Sequence, residues 1–202
     1  MTDNYPKRKR NRKAGYDYTR PGAYFVTICT QGHVCLFGQV IDGIMHLNDF
    51  GLIVAEAWED LPRHYPHVQL MSFVIMPNHV HGILWLYRFV AGERDMGPSP
   101  VLPLTTLTPP IDPTQYPLSD DPMLRHGLPE IIRAFKTFSA RRINRMRHVR
   151  GERVWKRSYW DRIIRDQDEF NRIAEYIRTN PQRWKEDTLH PDAPPNRFNT
   201  TK

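Results

Sequence analysis

Strand-like runs alternate along this chain with segments whose apolar residues recur every three to four positions, and that alternation restricts the fold more than any other feature. AYFVTICT (23–30) is rich in β-branched and aromatic residues and reads as a strand. FGQVIDGIMHL (37–47) sets two short apolar runs around Asp42-Gly43, a strong hairpin signal. Residues 49–65, with Leu52, Ile53, Ala55, Ala57 and Trp58, read as a helix capped by Asn48 or Asp49 and closed by Pro66. VQLMSFVIM (68–76) and HVHGILWLY (79–87) are strands joined through Met76-Pro77-Asn78. Helical periodicity returns at 129–148, with Ile131, Ile132, Phe135, Phe138, Ile143 and Met146 on one side and Arg133, Lys136, Arg141, Arg145 and Arg147 on the other. RVWKRSYWDRII (153–164) reads as a strand. A last helix runs from Gln167 to about Asn180, capped by Asp166 with Glu169 completing a capping box. Its buried stripe is Phe170, Ile173, Ala174 and Ile177, and Pro181 ends it. Strand runs and one-faced helices in this order are buried together when helices pack on a mainly antiparallel sheet, an α+β sandwich.

Two stretches stand outside that pattern. Residues 92–122 hold eight of the 18 prolines, which excludes helix or interior strand and marks a long, poorly ordered excursion. Residues 1–20 are polar and basic, with Lys7, Arg8, Lys9, Arg10, Arg12 and Lys13 in one run, and read as a mobile arm. The 202 residues suit one domain with appendages, and the net charge of +7 calls for an anionic partner, nucleic acid before a membrane surface. No run is long and apolar enough to span a bilayer, and no apolar segment follows the basic start as in a secretory signal, so a cytoplasmic protein is expected. Cys29 and Cys35 then read as two reduced, buried thiols, since a zinc site made with His33 would have poor spacing.

The sharpest local motif is PNHVHGILWL (77–86). His79 and His81 are two apart on a strand, so their side chains share a face with Cα atoms about 6.7 Å apart. Two neutral imidazoles so placed can reach one cation, whether zinc, manganese, iron, nickel or copper, or magnesium shared with phosphate oxygens. His-x-His also arises by chance and in unrelated metal chemistries, so the pattern alone leaves a structural role open. The other seven histidines form no such pair and read as surface or loop residues. The second motif is AEYIRTNP (174–181), which puts Tyr176 and Asn180 four apart on one helix face. Tyr176 lies about 120° round the helix from Phe170, off the centre of the buried stripe. A boundary tyrosine with a packed ring and wet hydroxyl accounts for that position as well. Tyr159 is a weaker rival, without a ligand-type partner one helical turn away.

Taken together these segments resemble a known family. MPNHVHGILWL (76–86), FKTFSARRINR (135–145), VWKRSYWDRIIRDQDEF (154–170) and AEYIRTNP (174–181), with PGAYFVTICTQ (21–31), are similar to the HUH single-tyrosine transposases of the insertion-sequence type, and most of all to their REP-associated tyrosine transposase branch. The resemblance implies a ferredoxin-like α+β fold, His79 and His81 as ligands of Mg²⁺ or Mn²⁺, and Tyr176 as nucleophile. Asn180 stands where relatives carry a glutamine that completes the metal shell. The chain then divides into a basic arm (1–20), a catalytic domain (21–184) with the 92–122 loop inserted, and a C-terminal tail (185–202).

The activity implied is metal-dependent cutting and strand transfer of single-stranded DNA through a 5′-phosphotyrosine intermediate at hairpin or palindromic repeats. The basic arm and the face of Arg133, Lys136, Arg141, Arg145 and Arg147 would hold phosphates, unless these charges are only a solubility tail and a solvated face. Trp155, Tyr159 and Trp160 could stack on bases, although at least one of the tryptophans suits the core better. A monomer is expected before a dimer, by resemblance to the REP-associated branch. Two other readings use the same residues: a DNA-binding protein of the same fold that no longer cuts, and a metal-dependent hydrolase of small phosphoesters.

Overall fold

The computed structural model describes residues 15–87 and 126–196. The 92–122 excursion and the basic residues Lys7, Arg8, Lys9, Arg10, Arg12 and Lys13 lie outside the described residues. The framework is β1 (Gly22–Cys29), β2 (Gly38–Ile41), β3 (Ile44–Leu47), α1 (Asp49–Glu59), the single turn α2 (Leu61–His64), β4 (Val68–Met76), β5 (His79–Leu86), α3 (Leu128–Met146), β6 (Trp160–Ile164) and α4 (Gln167–Thr179). A short 3₁₀ segment, Pro181–Glu186, follows α4.

Four strands form one antiparallel sheet in the order β4-β5-β1-β6. With the small β2–β3 hairpin set aside, the order is two interleaved β-α-β units, β1-α1-β4 and β5-α3-β6, as in ferredoxin-like folds. The alternation along β5 assigns the faces. Val80, Leu84 and Leu86 pack with residues of α1 and α3, including Val54, Trp58, Ile131 and Phe135, in one core. Ile83 and Trp85 point the other way, where Ile177 of α4 joins them and Phe170, Ile173 and Ala174 pack alongside. His79 and His81 belong to this second face by the period-2 rule. Gly82 is the point of closest approach on the first face: a Cβ there would lie 2.4 Å from the Trp58 ring.

Local chemistry explains the boundaries. Asp42 (φ 50°) and Gly43 (φ 75°) are both left-handed, as a two-residue turn matched to strand twist requires. Asn48 caps α1 by accepting from Gly51 N at 3.0 Å. The helix expected over 49–65 breaks at Asp60, because Pro62 can enter only the first turn of a new helix. The strand expected over 153–164 is reduced to its last five residues. Trp155 and Tyr159 are buried, and before β6 the segment pairs only through an isolated bridge from Trp155 to Thr30, just past the end of β1. Its aromatic content reflects packing, not pairing.

Other expectations need correction. Phe138 and Met146, placed on the buried side of α3, are 48% and 46% exposed. His67 is buried, its Nε2 lying 2.8 Å from the His126 carbonyl. Cys29 is buried and free, but Cys35 is exposed. Tyr18, in the stretch expected to be a mobile arm, is buried, and its hydroxyl donates to Asp161 Oδ2 at 2.6 Å. On α4, Asp166 Oδ1 accepts from Glu169 N at 2.7 Å, whereas Glu169 Oε2 accepts from Arg165 N at 3.0 Å.

Candidate metal and tyrosine site

The site is assembled at one end of the sheet, where β4 turns into β5. Pro77 and Asn78 are the only residues between the closing pair Met76 and His79. The turn is buried, so its carbonyls need donors. Pro77 O accepts from Leu36 N and Phe37 N at 2.8 and 3.0 Å, and Asn78 O from Thr30 N at 2.9 Å. This anchoring fixes the start of β5 and the two histidines behind it.

His79 is 0% exposed and His81 is nearly as buried. Their Nε2 atoms are 3.0 Å apart. Burial drives the pKa of His79 down to about 3, helped by the nearby His33. Burial and His79 hold His81 well below the usual histidine range. Both rings are therefore neutral near pH 7, the state that ligates a metal. Thr27, opposite His81 on β1, places Oγ1 2.9 Å from His81 Nδ1. Phe25 stacks on the His81 ring at 5.4 Å.

Tyr176 reaches this pair from α4. The buried stripe of the helix faces the sheet, and the flank that carries Tyr176 lies beside it, leaving the residue 40% exposed. Its hydroxyl is 3.1 Å from His81 Nε2, and its ring meets Phe25 edge-on at 6.3 Å. Burial raises the phenol pKa to about 12. The Asp187 carboxylate adds to that rise, and the Asn180 side chain opposes it by hydrogen bonding. Tyr159, the rival tyrosine, is buried in the opposite core.

Asp187 was not legible as a site residue: it falls in the segment read as a tail. Here it follows the 3₁₀ turn Pro181–Glu186, with its side chain 4% exposed and Oδ2 3.9 Å from His79 Nε2. Asn180 Nδ2 donates to Asp187 Oδ2 at 3.1 Å, and Leu189 N to Oδ1 at 2.7 Å. Among the described residues, ligand atoms of His79, His81 and Asp187 lie within 4.8 Å of one another. Cis ligands of an octahedral ion with bonds of about 2.1 Å sit about 3.0 Å apart, matching the imidazole spacing. Asn180 is buried, and its Oδ1 has no hydrogen-bond partner. Two neutral imidazoles, a carboxylate and an unsatisfied amide oxygen are a donor set that fits a divalent cation.

A groove of ≈ 1360 Å³ lies between α3 and the 147–157 segment. Because α3 and α4 cover opposite sheet faces, this groove is on the other side of the sheet from Tyr176. Arg133, Arg141 and Arg145 are exposed along it. Lys136 Nζ instead donates to the carbonyls of Lys156 and Arg157 at 2.5 and 3.0 Å, and Arg147 pairs with Glu152 at 2.6 Å. Arg150, Arg153, Lys156 and Arg157, not singled out in the sequence, form the opposing wall. That wall ends beside the histidines: Lys156 N donates to Cys29 O at 2.9 Å, Lys156 Nζ contacts His33, and Cys29 pairs with His79.

A ferredoxin-like sheet that carries a His-x-His pair against a helix-borne tyrosine is the architecture implied by the resemblance to the single-tyrosine transposases. The chain is 37% identical over 188 residues to an uncharacterized protein of Haemophilus influenzae, covering 92% of this chain and 94% of that one. It is 26% identical over 165 residues to a second Haemophilus influenzae protein, provisionally named a REP-associated tyrosine transposase, covering 82% and 73%. A solved REP-associated tyrosine transposase bound to a REP hairpin superposes with a TM-score of 0.51 at 16% identity, over 86% of this chain and 74% of that one, which is a likeness of fold. No protein-family model matches the chain. The chain belongs to one family with the first Haemophilus influenzae protein, and its further likenesses, one in sequence and one in fold, are to proteins named REP-associated tyrosine transposases.

Proposed function

We propose that the protein is a metal-dependent, single-stranded DNA nicking and strand-transfer enzyme with Tyr176 as its nucleophile. The observation that carries this reading is the 3.1 Å approach of the Tyr176 hydroxyl to His81 Nε2, which joins two motifs 95 residues apart. His79, His81 and Asp187 would hold Mg²⁺ or Mn²⁺, with Asn180 bracing the carboxylate or adding its own oxygen. A bound divalent cation neutralises charge on a phosphoryl oxygen and supports the build-up of charge in the transition state.

The chain's own groups do the rest. α4 and Phe25 hold the phenol in place. Burial raises the phenol pKa to about 12 in the metal-free site, so the hydroxyl carries its proton at neutral pH there and gives it up as the ester forms. The phenol oxygen forms a bond to phosphorus as the bond from phosphorus to the 3′ oxygen breaks, and that oxygen leaves with a proton as a 3′ hydroxyl. The 5′-phosphotyrosine ester conserves the bond energy, and attack by a 3′ hydroxyl reverses the step and regenerates the phenol.

A reacting nucleotide has to be unpaired to enter a site on a sheet. The solved relative binds a REP hairpin, and we assign this chain the same class of substrate, a palindromic hairpin with a single-stranded flank. The basic groove beside α3 suits the duplex phosphates, and its end at Lys156 and His33 brings the strand toward His79. Incubation with a labelled hairpin bearing a single-stranded flank, with Mn²⁺ or Mg²⁺, is expected to give a denaturation-resistant protein–DNA species that is lost in Tyr176→Phe. Binding without that species across a hairpin panel would favour a non-cutting DNA-binding protein.

A further inference from the structure

We propose that Asn78 is a positioning residue that fixes His79 in the tautomer able to ligate a cation, whereas His81 is left free to change tautomer. The inference rests on the reading of the histidine pair as a cation site. Asn78 is fully buried. Its Nδ2 faces two carbonyl oxygens, Leu189 O at 2.7 Å and His33 O at 3.2 Å. Both are acceptors only, so the amide cannot be turned over without setting Oδ1 against them. Oδ1 therefore faces His79 Nδ1, at 2.8 Å. An amide oxygen only accepts, so His79 Nδ1 carries the hydrogen. A neutral ring has one N–H, which leaves His79 Nε2 bare and directed at His81 Nε2 and toward Asp187.

His81 is not constrained in this way. Its Nδ1 partner is the Thr27 hydroxyl, which donates or accepts by rotating. Two bare nitrogens 3.0 Å apart repel, so without a cation His81 carries its hydrogen on Nε2, directed at His79 Nε2 with the Tyr176 hydroxyl oxygen 3.1 Å away as a second acceptor, while Thr27 donates to His81 Nδ1. A cation bound by both rings requires that hydrogen on Nδ1, with Thr27 now accepting. One histidine is preset by an amide, and the other adapts through a hydroxyl.

Nitrogen-15 NMR of the imidazoles in the full chain tests this without DNA. Without metal, His79 is expected as the Nδ1–H tautomer and His81 as Nε2–H, and Mg²⁺ titration should convert His81 to Nδ1–H. An Nε2–H tautomer at His79 in the wild-type protein overturns the proposal. In Asn78→Ala, His79 should lose its tautomer preference and Mn²⁺ affinity by calorimetry should fall about tenfold to a hundredfold. Asn78→Asp keeps an oxygen facing Nδ1 and should retain the Nδ1–H tautomer, even though its second oxygen, set against the Leu189 and His33 carbonyls, lowers stability; an unchanged Nδ1–H tautomer at His79 in Asn78→Ala would mean a merely structural role and overturn the proposal. His79→Ala separates the two levels: if it binds Mn²⁺ like the wild type, the cation-site reading itself is wrong, and if it abolishes binding while Asn78→Ala does not weaken it, only the role of Asn78 fails.

Discussion

Acidifying the protein without metal should destabilise it through the histidine pair well before most carboxylates titrate. His79 is neutral in the folded chain down to a pKa of about 3, because protonation would place an unsolvated charge at 0% exposure. In the unfolded chain the same ring takes up a proton near its ordinary value of about 6.5. Stability from this residue is thus full above about pH 6.5 and is lost progressively as the pH falls toward 3. At pH 5 the unfolded ring is almost fully protonated and the folded ring is not, which costs about 2 kcal/mol. His81 shifts in the same direction and adds to the slope. Urea denaturation in the presence of a chelator at pH 7 and pH 5, on the wild type and on His79→Gln, isolates the effect from other titrating groups. The variant should lose about 2 kcal/mol less than the wild type over this interval. Identical losses would refute the claim that burial keeps His79 neutral.

Three further outcomes follow from the packing and the charges. Gly82→Ala places a methyl 2.4 Å from the Trp58 ring, which is held between Phe73 and Phe135, and should cost about 1–3 kcal/mol in denaturant stability; an unchanged midpoint would contradict the packing described. Arg141→Ala with Arg145→Ala should weaken hairpin binding at every sequence and reduce the log–log salt slope by about 0.9 per lost phosphate contact, and an unaltered slope would remove the groove from the DNA path. Asp187→Asn should weaken Mn²⁺ binding measured by calorimetry at least about tenfold, and affinity equal to the wild type would leave the carboxylate outside the cation site.

The elements that positioned the site were legible because their signals are local. Alternating apolar residues with a Pro-Asn break mark β4 and β5, and the 3.6-residue stripe of α4 put Tyr176 on a flank, where it is found. The His-x-His spacing fixed which residues share a face, but not what they meet there. Asp187 escaped because it is held by contacts distant in sequence: Asn180, the His79 ring and the 3₁₀ turn bring it in, and no periodicity marks a residue in such a segment. In the sequence Asn78 is legible only as part of a turn, since its two carbonyl partners come from residues 33 and 189. The 153–159 segment misled because aromatic residues signal burial as much as strand, and here burial prevails. Lys136 looked like a phosphate ligand on a helical wheel, yet its ammonium reaches two carbonyls across the groove.

In the proposed reaction one phenol, Tyr176, becomes covalently joined to DNA. The direct measurement is mass spectrometry of the protein after reaction with hairpin DNA and divalent metal, followed by nuclease and tryptic digestion. A nucleotide-bearing phosphate is expected on the tryptic peptide spanning residues 173–178, localised to Tyr176 by fragmentation. A nucleotide adduct on another residue, or cleaved DNA with no adduct on any peptide, would contradict it.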